Sequence, residues 1–121
     1  MALAPVYFVP PGEHKGNTLV TKIPFEVITA SCDTAVGGSS PGRQYLRDVR
    51  GRNPGAKWVD ITGGNHDNFN TRWTPGNIGG YDDSSKPCPG KIGGRTQRDR
   101  TEKLVTAFFR HTLERRGADR R

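Results

Sequence analysis

The chain has 121 residues, of which 31% are hydrophobic and 26% charged, with 16 Gly and 9 Pro. That length holds one small domain, and a mean hydropathy of −0.75 leaves it a thin core, so the chain is expected to be marginally stable alone or to lack a partner surface. No stretch approaches the roughly 18 apolar residues of a membrane span, and the first residues lack the basic segment and apolar run of a secretory signal.

Residues 1–22 read as irregular or weakly extended, broken by Pro10-Pro11-Gly12 and Gly16-Asn17. Phe25 to Ala30 is short, apolar and β-branched, which suits a strand buried on both faces and ending at Ser31-Cys32-Asp33. Ser40-Pro41 has the form of an N-cap followed by proline at the first helical position, and Tyr45, Leu46 and Val49 supply the apolar stripe of a short helix that stops near Gly51. Lys57 to Thr62 is a second strand, with Val59 and Ile61 on one face by alternation. Strand, helix and strand make a βαβ unit with parallel strands.

From Gly63 to about Arg95 the composition is loop-like. A loop of that length in a small domain is ordinarily functional or disordered. The final helix is the clearest element: Thr96 with Asp99 resembles a capping box, Leu104, Val105, Phe108, Phe109 and Leu113 form one apolar face, and Gly117 can close the end. Two strands and two helices leave part of a parallel sheet uncovered. The expected fold is therefore the C-terminal βαβ-plus-helix part of a larger α/β domain, incomplete by itself. Residues 1–22 form an irregular segment, 23–116 the partial domain and 117–121 a basic tail.

The net charge of +7 falls mostly on residues 95–121, which carry +5 and include Arg115, Arg116, Arg120 and Arg121. Such a cluster is ordinarily a solvated helix end that suits the helix dipole. The alternative function it suggests is a small basic nucleic-acid-binding module. Against that stand the absence of zinc-finger spacing, of a helix-turn-helix and of an aromatic-and-basic RNA-binding strand pattern. A third possibility is a non-enzymatic piece that packs onto another chain.

The densest chemistry lies after the second strand, in Gly63-Gly64-Asn65-His66-Asp67-Asn68-Phe69-Asn70-Thr71-Arg72-Trp73-Thr74-Pro75-Gly76. Sites in open α/β sheets form at the carboxyl ends of strands. His66 sits at one such end and Asp33 at the other. A lone histidine there is ordinarily a hydrogen-bonded loop residue. A carboxylate at the neighbouring strand end makes this one a candidate base, because it fixes the tautomer and stabilises the imidazolium.

The run Gly-x-Asn-His-x-x-Phe-Asn-x-x-Trp-Thr-Pro-Gly resembles the histidine loop of bacterial extracellular α/β-hydrolases, serine esterases and lipases distantly similar to polyester hydrolases. The resemblance extends back through Pro24–Asp33 and forward to Leu104–Leu113, about four-fifths of the chain. It implies that Asp33 is the triad acid and His66 the general base, that the substrate is an ester or lipid, that no cofactor or metal is needed and that the protein is extracellular. The family order of serine, aspartate, histidine places the nucleophile before residue 1, so the partner implied is a missing N-terminal hydrolase half or a second copy. Phe69 and Trp73 are candidates to line an acyl pocket, or else they pack the loop.

Gly38-Ser39-Ser40-Pro41-Gly42 matches Gly-x-Ser-x-Gly formally, yet a nucleophile elbow turns directly from strand to helix, and Pro41 removes an N–H that an oxyanion hole would use. Cys32 and Cys88 have two readings, a bridge that ties the histidine loop to the strand end and implies an oxidising compartment, or two separate thiols. Asp82 and Asp83 read as solvated turn residues, and His14 and His111 as surface residues.

Overall fold

A computed structural model describes residues 1–3, 23–69, 71 and 86–118. In chain order the elements are β1 (Ala2–Leu3), β2 (Glu26–Ala30), α1 (Ser40–Arg50), β3 (Lys57–Ile61), a single 3₁₀ turn (Asp67–Phe69) and α2 (Gly94–Ala118). The sheet has the order β1-β2-β3 with both pairings parallel. The arrangement is a small mixed α/β unit, and β2 with β3 is the parallel pair that the βαβ pattern predicts. Their register sets Glu26 opposite Lys57 and Ala30 opposite Ile61, so the two strands end side by side. Ala2 and Leu3, within the segment expected to be irregular or weakly extended, extend the sheet by pairing with Val27 and Ile28.

Every residue of β2 is buried, as expected of a central strand with elements on both faces. On one face Val27 joins Phe25, Leu46, Val49 and Ala56 in a core flanked by Tyr45 and Trp58. The Phe25 and Tyr45 rings meet edge to face, with centroids 6.0 Å apart. The helix α1 lies so close to β2 that a Cβ on Gly42 would come within 2.1 Å of Thr29 Cγ2. Thr29 donates its hydroxyl to Asp60 Oδ1 at 2.7 Å and receives the Trp58 indole N–H at 3.0 Å, which satisfies the polar groups beside this core.

Two helix boundaries differ from the sequence reading. Ser40 is the first residue of α1 and Ser39 is its N-cap, whose hydroxyl bonds the Asp60 carboxylate instead of the helix backbone. A partner offered by the neighbouring strand outcompetes the local cap. At the other end of the domain, α2 starts at Gly94, so Thr96 and Asp99 lie inside it, and it continues through Gly117 to Ala118. The helix thus takes in two residues assigned to the basic tail.

The apolar face of α2 is only partly covered: Leu104, Val105 and Phe108 are half buried, whereas Phe109 and Leu113 are 49% and 65% exposed. Length explains it. A 25-residue helix spans about 37 Å, while five-residue strands span about 17 Å, so the helix overshoots the sheet it packs on. Its contacts fall instead near its start, where Gln97 and Thr101 are buried.

Candidate active site

Past their last residues, β2 and β3 remain joined by further backbone bonds. Ser31 N–H donates to Ile61 O at 3.3 Å and Cys32 N–H to Gly64 O at 2.8 Å, which carries the pairing into the loops that hold Asp33 and His66. Gly63 must turn there. Its φ of +79° is the left-handed conformation that glycine adopts freely, and a Cβ would sit 2.0 Å from Gly90 O. Its N–H donates to Ser31 Oγ at 2.8 Å, and its carbonyl accepts Ile92 N–H at 2.9 Å. Cys32 and Cys88 form a disulfide, so of the two readings of the cysteines the bridge is the one found. It joins the residue before Asp33 to the segment leading into α2.

Asp33 is 1% exposed, and its carboxylate is nonetheless well supplied with donors. Oδ1 accepts Ala35 N–H at 3.0 Å and Val36 N–H at 3.1 Å. Oδ2 lies 2.9 Å from His66 Nδ1. Against an ionised carboxylate, which can only accept, Nδ1 is the donor and the acceptor nitrogen of a neutral ring is Nε2. A quarter of the His66 side chain is exposed, which leaves the imidazole accessible from outside while its partner is sealed. The sequence-predicted pair is therefore brought together at the carboxyl ends of adjoining parallel strands.

The histidine loop is held from its other side as well. Asn65, 1% exposed, accepts Asn68 N–H on its side-chain oxygen at 2.9 Å and so opens the 3₁₀ turn that follows His66. Phe69 closes that turn and is half buried. Trp73, the other candidate lining residue, lies outside the described residues, as do Asp82, Asp83 and His14. His111 is exposed. No group of three or more His, Cys, Asp or Glu side chains gathers to hold a metal among the described residues.

Sequence reasoning missed the buried polar groups behind the loop, Gln97 above all. The signal was available, since Gln97 and Thr101 lie at i and i+4 on the face that continues at i+7, i+8 and i+11 with Leu104, Val105 and Phe108. A polar residue on the apolar stripe of a helix asks for a buried partner. The serine-containing match has no elbow geometry: β2 ends at Ala30 and α1 begins only at Ser40, with turns between.

No protein-family model matches the chain, and no curated protein or solved structure matches it either. No helix among the described residues is long and apolar enough to cross a membrane.

Proposed function

We propose that this chain is the acid–base portion of a secreted serine α/β-hydrolase acting on ester or lipid substrates, with the nucleophilic serine supplied by an upstream half or another chain. The observation that carries the reading is the 2.9 Å contact between His66 Nδ1 and buried Asp33 Oδ2 above neighbouring parallel strands. His66 Nε2 takes the proton of the serine hydroxyl as its oxygen attacks the acyl carbon. Asp33 stabilises the resulting imidazolium, which then returns the proton to the departing alcohol. A water molecule repeats the sequence to release the acid. The disulfide supports an oxidising compartment. Phe69, three residues beyond His66, is the residue offered for acyl contact.

The test has two arms. The chain alone should resist labelling by a fluorophosphonate probe, and labelling of Ser40 would overturn the assignment of the serine to another segment. Supplied with the upstream half of its reading frame, it should hydrolyse a short-chain nitrophenyl ester. His66→Ala should then lower kcat by about 10⁴-fold or more. Near-normal turnover in that variant would remove the imidazole from the mechanism.

A further inference from the structure

Gln97, in the first turn of α2, is completely buried at 0% exposure. A primary amide taken from water into such a place costs several kcal/mol unless it is bonded, and both of its functions are bonded to the same residue. Its Oε1 accepts Asn65 N–H at 2.8 Å, and its Nε2 donates to Asn65 O at 2.7 Å. This is the exchange that one strand makes with another, with a side-chain amide standing in for the neighbouring peptide. Space for it exists because residue 64 is glycine: a Cβ there would lie 3.1 Å from both Cδ and Oε1 of Gln97 and 3.0 Å from Ile61 Cγ2.

The two bonds fix the peptide planes on both sides of Asn65, and the second of those planes carries the N–H of His66. The strand side of the loop is anchored at Gly64 O by Cys32 N–H, next to Asp33. Gln97 supplies the opposing anchor. Within the helix the Thr101 hydroxyl donates to Gln97 O at 2.9 Å, and the disulfide at Cys88 ties the segment leading into the helix to Cys32, beside Asp33.

We propose that Gln97 is a positioning residue that sets the backbone of the histidine loop so that His66 Nδ1 meets Asp33, coupling the acid–base pair to the seating of α2. The proposal rests on the reading of His66 and Asp33 as acid–base partners. A further consequence is that displacement of the α2 start from Gly64 uncouples the imidazole from its carboxylate with no change in either residue.

The experiment is proton and nitrogen NMR on the full chain, which follows the Nδ1 proton of His66 and the exchange of the Asn65 amide. Gln97→Leu should abolish the hydrogen-bonded Nδ1 resonance and speed Asn65 exchange roughly tenfold or more, the factor for losing about 1.4 kcal/mol of paired amide. Gln97→Glu makes the test specific. A protonated carboxyl is isosteric with the amide, accepting on one oxygen and donating from the other, whereas an ionised one only accepts and faces the Asn65 carbonyl. The resonance should therefore survive at acid pH in Gln97→Glu and vanish as the introduced carboxyl ionises, over a range where wild type keeps it. A resonance in Gln97→Glu that follows wild type at every pH would overturn the proposal, and so would Gln97→Leu retaining it with β2 and β3 still protected. If wild type lacks the resonance altogether, the acid–base reading fails instead.

Discussion

The two ends of β2 each bury a carboxylate, and they treat it in opposite ways. Past the carboxyl end, Asp33 receives two backbone N–H groups on one oxygen and His66 on the other. At the amino end, Glu26 is only 7% exposed, and its Oε1 has no hydrogen-bond partner among the described residues. Burial pushes the Glu26 carboxyl above the usual glutamate range, and the positive charges of Lys57 across the ladder and of the amino terminus pull only partly against it. A buried acid supplied with donors orients a neighbour; one without them is a burden on the fold. The contrast places the built site at the carboxyl ends of the strands, where crossover loops converge.

Three perturbations probe this contrast, the largest first. Reduction of the Cys32–Cys88 disulfide, or Cys32→Ala with Cys88→Ala, opens a bridge spanning 56 positions. Loop-closure entropy for a ring of that length gives a loss of about 4 kcal/mol in that account. Urea midpoints measured with and without reductant check it, and equal midpoints would show that the carboxyl end does not need its brace.

Asp33→Asn keeps the shape but turns an acceptor into a donor toward His66 Nδ1. Stability should fall by roughly 2 kcal/mol, and in the hydrolase assembly we propose, turnover should drop by about 10⁴-fold as the ring takes the wrong tautomer. Denaturant titration reads the first effect and ester hydrolysis the second.

Glu26→Gln should act in the other direction, stabilising the fold by about 1 kcal/mol at neutral pH, because the substituted group no longer has to ionise while buried. The sign follows from proton counts. The folded chain holds the Glu26 proton to higher pH than the unfolded chain does, so this residue's contribution falls as pH rises from the ordinary glutamate range through the raised folded value. Glu26→Gln should flatten that part of the stability profile. A wild-type profile that rises through this range, with no difference from Glu26→Gln, would contradict the assigned burial.

Periodicity was enough to locate the two longer strands and both helices, since five or six apolar, β-branched residues between turn signals leave few alternatives. The pairing of His66 with Asp33 was legible for a related reason: parallel strands joined by a crossover put their carboxyl ends at the same edge. The strand at Ala2–Leu3 was not legible, because two residues carry no period. The N-cap of α1 lies one residue before the Ser40 that local pattern indicates, and its hydroxyl is claimed by Asp60, distant in sequence, so it makes no side-chain cap bond. The extent of cover over Phe109 and Leu113 also escaped pattern reading, since a helical stripe records which residues are apolar and not how far the sheet beneath them reaches.

What the residues settled alone was local: where strands and helices form, and which edge of the sheet collects the imidazole and the carboxylate. Tertiary structure decided the rest, including the choice of bridged cysteines and the clamp of Gln97 on Asn65. Each of these depends on groups dozens of positions apart meeting within hydrogen-bond or covalent reach. Their meeting is fixed by packing density and polar satisfaction in three dimensions, which no window along the chain contains.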